Sequence, residues 1–328
     1  ASSTHRLSPA DDDQPLLWRP RPAGLVCGVG LRRNRTKRRR LNLSIAMRRA
    51  RRAYCTSASP NRCSEVGMAN SHLRVEAHGG IGRLIIDRVE KRNAMSLDMW
   101  LSVPKLLRQL ANDRAVKVIV LQGVDETAFA AGADIEEILQ FAASESAAWR
   151  LMDAVRSAEN ALADCLLPTI AMIRGVCVGG GVELALACDL RFANCAARFA
   201  VPPSKLGLVY SLSSTKRLID LVGLGFARDL LYSGRTFTSE EAKSIGLIER
   251  RLGDDEIEVE TARYASSLTE RSLYSIQAAK KVSAAIRVGA TDENDEIRQL
   301  RIGAFAGEDL KEGARAFLNK QRPQFTWR

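Results

Sequence analysis

The stretch Val178-Gly179-Gly180-Gly181-Val182-Glu183-Leu184-Ala185 constrains this chain more than any other. Ahead of it runs an apolar, strand-like segment from Thr169 to Val178. Behind it, Leu184-Ala-Leu-Ala-Cys-Asp189 has the spacing of a buried helix start. Three consecutive glycines between strand and helix permit a tight bend and let a ligand approach peptide groups that no Cβ shields. The N–H groups at such a helix start form the positive end of a dipole, a seat for an anion. Glu183 adds a proton-handling carboxyl beside that seat.

The pattern has a forerunner upstream. Val116-Lys-Val-Ile-Val-Leu-Gln-Gly123 reads as a buried strand, and Thr127-Ala-Phe-Ala-Ala-Gly132-Ala133-Asp134-Ile135 again sets small residues before a helical stretch starting near Ile135. Before it, Leu73–Ala77 and His78–Asp87 predict a hairpin, and Ser96 is the N-cap of a helix through Ala111, kinked at Pro104. Residues 143–163 predict a long Ala-rich helix. Arg191–Ala193 and Arg198–Val201 read as short strands, the second ended by Pro202-Pro203. From Ser213 onward the pattern is helical: Thr238-Ser-Glu-Glu241 is a capping box whose helix stops at Gly246, and further helices are expected at 256–268, 272–287, 293–304 and 309–320. Strand-helix alternation followed by helices alone predicts an α/β core with a helical C-terminal region.

Charge separates the core from what precedes it. Of the 49 Lys/Arg and 38 Asp/Glu, residues 1–67 hold 15 and 4, which accounts for the whole net charge of +11, and the rest of the chain is balanced. A basic patch of this kind is the footprint of a nucleic-acid binder, but here it sits in a segment with no sustained apolar period. Three readings fit residues 1–67: a mitochondrial transit peptide, Arg- and Ser-rich but interrupted by Asp11-Asp12-Asp13; a disordered basic arm; or translated upstream sequence with Met68 as the true start, the reading we prefer. The expected division is 1–67 as extension, 68–265 as core and 266–328 as helical region. Seven cysteines form no C-x-x-C pair, which fits buried thiols in a reducing compartment, and the three histidines make no metal site or triad. No apolar run is long enough to span a membrane.

Two strand-to-helix turns with bare backbone, at Ala133 and Gly180, are able to give one N–H each to a single developing oxyanion. A thioester carbonyl held there becomes an enolate when Glu183 moves a proton on the neighbouring carbon. The plainer reading makes the glycine turns packing devices and Glu183 a helix-dipole partner.

The motifs also carry a resemblance. Ala128-Phe-Ala-Ala-Gly-Ala-Asp-Ile-Glu-Glu137, Val178–Leu190, Gly234-Arg-Thr-Phe-Thr-Ser-Glu-Glu-Ala-Lys-Ser-Ile-Gly-Leu-Ile248, Glu90–Met95 and Glu312–Lys320 resemble the enoyl-CoA hydratase/isomerase (crotonase) superfamily, from about residue 70 to 325. The resemblance implies a crotonase-like spiral of ββα units, a C-terminal trimerisation region, and a homotrimer or dimer of trimers acting on an acyl-CoA thioester. Coenzyme A enters only as part of the substrate, and no cofactor or metal is implied. It implies oxyanion-hole amides at Ala133 and Gly180, catalysis by Glu183, and substrate or coenzyme A contacts from Lys91, Arg92, Ala94, Ala131, Asp134, Ile135 and Lys320. Tyr210 is a further catalytic candidate, able to polarise a substrate carboxylate or position water, or else a packed residue with a wet hydroxyl. The basic residues among these fit solvated surface equally well. A bacterial cytoplasmic protein is expected, or one of the mitochondrial matrix if the extension is a transit peptide.

One departure limits what carries over. Hydratases of the superfamily place a second glutamate in a Phe-x-x-Pro-Glu turn, and here that turn reads Phe199-Ala-Val-Pro202-Pro203. Proline transfers no proton, so hydration by two carboxylates loses one of its acids. Downstream, Lys205-Leu-Gly-Leu-Val-Tyr210 resembles methylmalonyl-CoA decarboxylases, which makes decarboxylation of a malonyl-type thioester the alternative reaction. Ala133 in place of their histidine, and a Glu183 carboxylate that would repel a malonyl group, count against it. A non-catalytic or RNA-binding relative is the reading from another class.

Overall fold

The computed structural model describes residues 66–70 and 72–327. The basic segment through Glu65, with every reading attached to it, lies outside the described residues. Two sheets form the framework. The larger has the order β1-β2-β3-β4-β6-β8-β11, built from β1 (Val66–Asn70), β2 (Leu73–His78), β3 (Ile81–Ile86), β4 (Val118–Gly123), β6 (Thr169–Ile173), β8 (Leu190–Asn194) and β11 (Arg250–Leu252). The first three strands pair antiparallel, β2 with β3 as the hairpin pattern predicts and β1 as an addition it does not, and β3, β4, β6, β8 and β11 run parallel. The smaller sheet, β10-β9-β7-β5, takes β5 (Ala128–Ala130), β7 (Val176–Val178), β9 (Arg198–Ala200) and β10 (Thr236–Thr238). Here β5, β7 and β9 are parallel neighbours.

Each of β4, β6 and β8 is therefore followed by a short strand in the second sheet, and then by a helix. The apolar run expected as one strand from Thr169 to Val178 is split at Arg174-Gly175 to make this turn. Gly175 has φ 63°, and a Cβ there would stand 2.1 Å from the carbonyl oxygen of Thr127, so only glycine lets the second strand leave the first at this point.

The helices are α1 (Leu97–Asn112), α2 (Ile135–Phe141), α3 (Glu145–Ala163), α4 (Gly180–Ala187), α5 (Pro203–Leu206), α6 (Leu212–Ser233, interrupted at Gly223), α7 (Ser239–Ser244), α8 (Ile257–Thr269), α9 (Leu273–Arg287), α10 (Asp295–Ala306) and α11 (Glu308–Leu318). Ser96 caps α1 by accepting from Met99 N–H, and Thr238 caps α7 by accepting from Glu241 N–H, as their sequences predict. Pro104 lies inside α1.

All six residues of β4 are buried because both faces of the large sheet are covered. Ile119 and Leu121 face the main core with Trp100 and Phe129, whereas Val118 and Val120 face Ile257 and Ala265 of α8. The boundary expected after residue 265 thus falls inside α8, a helix that packs on the sheet over its length. Beyond it, α9 to α11 carry exposed apolar side chains, among them Ile286, Ile302, Phe305 and Phe317.

Candidate active site

Parallel strands β5, β7 and β9 end side by side, and the turns after them lie at one edge, the place where open α/β sheets hold their ligands. Those turns are Ala131–Asp134, Gly179–Gly181 and Pro202-Pro203. They wall a cavity of about 590 Å³, completed by Phe141 and Ile138, by Trp149 and Met152 of α3, and by Leu208 to Leu212. Most of these side chains are apolar, as a ligand pocket requires.

The first two turns touch. Gly132 has φ 104°; the N–H of Gly180 lies 3.4 Å from where a Cβ on Gly132 would be, and the N–H of Ala133 lies 3.4 Å from where a Cβ on Gly180 would be. Two bonds fix the Ala133 peptide. Met95 N–H donates to Gly132 O at 2.7 Å and Asp134 N–H donates to Met95 O at 2.9 Å. This parallel bridge of Met95 with Ala133 leaves the Ala133 N–H outside its two bonds, and Ala133 lines the cavity. Gly180 opens α4, so its N–H is one of the four that a helix start leaves without an intrahelical partner. Gly179 supplies the bend at φ 54°, ψ −118°, and a Cβ on Gly181 would stand 2.2 Å from Ala130 O, so the strand end and the helix start are packed backbone to backbone.

Glu183, one turn into α4, lines the cavity and is 9% exposed. Burial, then the neighbouring Glu159, pushes its carboxyl up to about 8, against smaller opposing effects from the Ser214 hydroxyl and Arg217. Tyr210 also lines the cavity; its hydroxyl is buried without a hydrogen-bond partner among the described residues, and burial followed by Glu183 pushes its pKa well above that of an ordinary phenol. Pro203 is buried in the same wall.

The other expected residues divide. Ala131 and Ile135 line the cavity, whereas Lys91, Arg92, Ala94, Asp134 and Lys320 do not. Lys91, Arg92 and Ala94 sit on the loop along its rim: Arg92 O accepts from Ala131 N–H at 3.0 Å, and Lys91 Nζ pairs with Glu136 at 2.8 Å. Asp134 is buried and committed elsewhere, capping α2 through Glu136 N–H at 3.0 Å and pairing with Arg88 at 2.9 Å. Its carboxylate is therefore part of the support for the Ala133 turn. Lys320, just after α11, is exposed at φ 53°. Sequence reasoning missed Trp100, whose ring lies against Gly180, and the group of Glu159, Ser211, Ser213, Ser214 and Arg217 behind Glu183. A signal existed for Glu159: it falls on the buried stripe of α3 with Ala154, Ala158 and Leu162, where an acidic residue is out of pattern.

Residues 76–328 match the family model described as enoyl-CoA hydratase/isomerase. The chain belongs to the enoyl-CoA hydratase/isomerase family. It is 30% identical over 270 residues to the crotonyl-CoA hydratase of Syntrophomonas wolfei, covering 79% of this chain and 99% of that protein. Mouse mitochondrial methylglutaconyl-CoA hydratase is 31% identical over 303 residues, covering 89% and 95%. Among solved structures, an enoyl-CoA hydratase/isomerase family protein from Hyphomonas neptunium is 40% identical with a TM-score of 0.77, covering 80% of this chain and 100% of that one. The two-sheet architecture is thus the crotonase fold expected from the motifs. As a member of the family the protein is an enzyme acting on acyl-CoA thioesters. No helix among the described residues is long and apolar enough to cross a membrane.

Proposed function

We propose that this enzyme moves a proton at the carbon next to a coenzyme A thioester carbonyl, with double-bond isomerisation of an enoyl thioester as its reaction. The observation that carries this is the composition of the cavity wall: two converging amides, Ala133 and Gly180, one carboxyl, Glu183, and a buried Pro203 where a second carboxyl would be needed to place water. Glu183 as carboxylate takes a proton from C2. The negative charge passes to the thioester oxygen between the two amides, and the protonated Glu183 returns the proton at C4. One proton changes carbon and no atom is gained or lost, so a single carboxyl completes the cycle and no cofactor is required. A carboxyl poised at about 8 is a stronger base than an ordinary carboxylate, which suits removal of a weakly acidic C–H proton.

The coenzyme is read onto the rim. Lys91 and Arg92 meet its phosphates, with Ala94 beside them, the Ala131 carbonyl accepts from the adenine amine, Ile135 borders the pantetheine, and Lys320 reaches the nucleotide end. Exposed Phe305 and Phe317 suit burial in a homotrimer or a pair of trimers. Three buried cysteines without disulfides, Cys165, Cys177 and Cys188, fit a reducing compartment, bacterial cytoplasm or mitochondrial matrix.

One observation favours a second reaction. The buried, unpartnered Tyr210 hydroxyl is free to donate to a carboxylate on the acyl group, as decarboxylation of a malonyl-type thioester requires. With the Glu183 carboxyl pushed up to about 8, its charged form is less populated near neutral pH and its repulsion of that group is weaker than the sequence alone implies. The deciding experiment supplies 3-butenoyl-CoA and methylmalonyl-CoA. Formation of crotonyl-CoA lost in Glu183→Gln supports the isomerase reading. Carbon dioxide release that survives Glu183→Gln and vanishes in Tyr210→Phe replaces it with the second.

A further inference from the structure

Behind Glu183 lies a second carboxyl that the cavity does not reach. Glu159, on α3, is 0% exposed. Four donors converge on its Oε2: the hydroxyls of Ser214 at 2.7 Å, Ser213 at 3.3 Å and Ser211 at 3.5 Å, and Nη1 of Arg217 at 3.2 Å. Its Oε1 is buried with no hydrogen-bond partner among the described residues. All four donors come from Ser211, the N-cap of α6, and the first turns of that helix. Two helices that needed only to pack would meet through apolar side chains. Here they meet through a carboxyl, three hydroxyls and a guanidinium.

The donor set bears on the charge. Burial pushes the Glu159 carboxyl up, and the Ser214 hydroxyl, the Arg217 guanidinium and the hydroxyls of Ser213 and Ser211 oppose that rise; the guanidinium, which can only donate, favours the anion. Glu183 has a different environment: the Ser214 hydroxyl beside it is committed to Glu159, and among the described residues no cation forms an ion pair with Glu183. Two carboxyls buried close together do not both ionise readily, and the proton goes to the one with fewer donors.

We propose that Glu159 is the positioning residue of this active site: pinned as an anion by Ser211, Ser213, Ser214 and Arg217, it stands behind Glu183 and makes that carboxyl a stronger base. The inference rests on the reading of Glu183 as the group that moves the proton. It also gives the missing second glutamate a physical consequence. With Pro203 on the cavity wall, the second carboxyl has no contact with substrate and acts only through the first. After burial itself, the Glu159 charge is the next largest influence holding Glu183 at about 8, in keeping with this arrangement.

Every charged or titratable group facing the pair enters the balance. Arg217 opposes Glu159 and itself faces Asp164 and Arg287, with Asn160 on its Nη2 at 3.3 Å. Tyr210 faces Glu183, Cys177 and Glu159, and stays neutral. The single cation in contact with the pair among the described residues is Arg217, and it is committed to Glu159.

The test is carboxyl-region infrared difference spectroscopy of the full chain across pH, alongside C2 deuterium exchange into butyryl-CoA, a probe that enolises without turning over. The wild type is expected to show a neutral carboxyl band titrating near 8 and absent from Glu183→Gln. In Glu159→Gln that midpoint moves down by about one pH unit or more, and the plateau exchange rate drops about tenfold as the base weakens. Because Glu159→Gln leaves Arg217 buried and unpaired, the double variant Glu159→Gln/Arg217→Gln is measured beside it and is expected to shift the same way. A merely structural Glu159 would lower the melting temperature and leave the midpoint where it was. The proposal is overturned if the midpoint stays put in either folded variant, or if the wild type has no neutral carboxyl at pH 7. The underlying reading fails separately: Glu183→Gln exchanging deuterium at the wild-type rate would remove Glu183 from the chemistry, while the infrared titration still reports the coupling of the two carboxyls.

Discussion

The ring of Trp100 lies against Gly180 so closely that a Cβ on the glycine would stand 2.9 Å from Cζ2 and 3.3 Å from Cη2. Trp100 is fully buried on α1 and belongs to the main core. The indole therefore backs the peptide group that supplies one of the two proposed oxyanion donors.

Gly180→Ala tests this contact. The added methyl is expected to destabilise the fold by about 1–3 kcal/mol through overpacking. Displacement of the amide is expected to lower kcat/KM by about a hundredfold or more. Thermal unfolding and turnover of 3-butenoyl-CoA measure the two effects. Adding Trp100→Phe should recover much of the stability and less of the rate, because space returns but the backing of the peptide does not.

Glu183 predicts a dependence of stability on pH. Its folded value, about 8, lies above the ordinary value of 4.5, so the folded state holds this proton where the unfolded state has released it. The associated stability is fully present below the unfolded value and is lost as pH rises through about 8. Glu183→Gln copies the neutral form and has no proton to lose. Between the two values each pH unit is worth about 1.4 kcal/mol. Denaturant titrations at pH 6 and 9 are therefore expected to show the variant gaining a few kcal/mol on the wild type. Equal pH slopes in the two proteins would contradict the assignment of the proton to Glu183.

Most of this site was written locally in the chain. The strand ends, the glycines at 132 and 179–181, and Glu183 lie within two short stretches, and period and turn chemistry read them directly. That the two turns touch depends on β5 and β7 being neighbours in a sheet whose three-residue strands are too short to announce themselves. The cluster behind Glu183 was hidden for a different reason. Glu159 and Ser214 are separated by 55 positions and meet only when α3 and α6 pack, and a lone Glu in an Ala-rich helix reads as surface until its face is known. Likewise the pairing of Asp134 with Arg88 joins two separate stretches that no local pattern connects.

Tyr210→Phe separates the two reactions. The hydroxyl has no protein partner among the described residues, and an unpaired buried polar group costs about 1–3 kcal/mol, so its removal is expected to leave the melting temperature unchanged or slightly higher. On 3-butenoyl-CoA the rate is expected to fall less than about tenfold, the range for a group that does not transfer the proton. A loss of more than that on a malonyl-type thioester alone would assign the hydroxyl to a substrate carboxylate.

Asp134→Asn provides the contrasting pH signature. Burial raises the Asp134 carboxyl, but the Glu136 N–H and the Arg88 guanidinium more than offset it and hold it below the usual carboxylate value of 3.8. Asparagine keeps an oxygen for the helix cap yet leaves Arg88, which also donates to Ala94 O at 3.0 Å, without its charge partner. A loss of about 3 kcal/mol is expected for such a buried pair. Since a lowered carboxyl stabilises above its unfolded value and loses that contribution as pH falls through the folded one, the difference between wild type and variant should be flat above about pH 5 and shrink in acid. That window does not overlap the pH 6 to 9 range that reports on Glu183, so the two carboxyls are separable in one set of titrations. Because Arg88, Asn93 and Ala94 hold the rim loop that carries Lys91 and Arg92, and Arg92 O accepts from Ala131 N–H, the variant should also raise KM for a coenzyme A thioester more than it lowers kcat. A fall in kcat with KM unchanged would mean that Asp134 serves the Ala133 amide alone and not the rim.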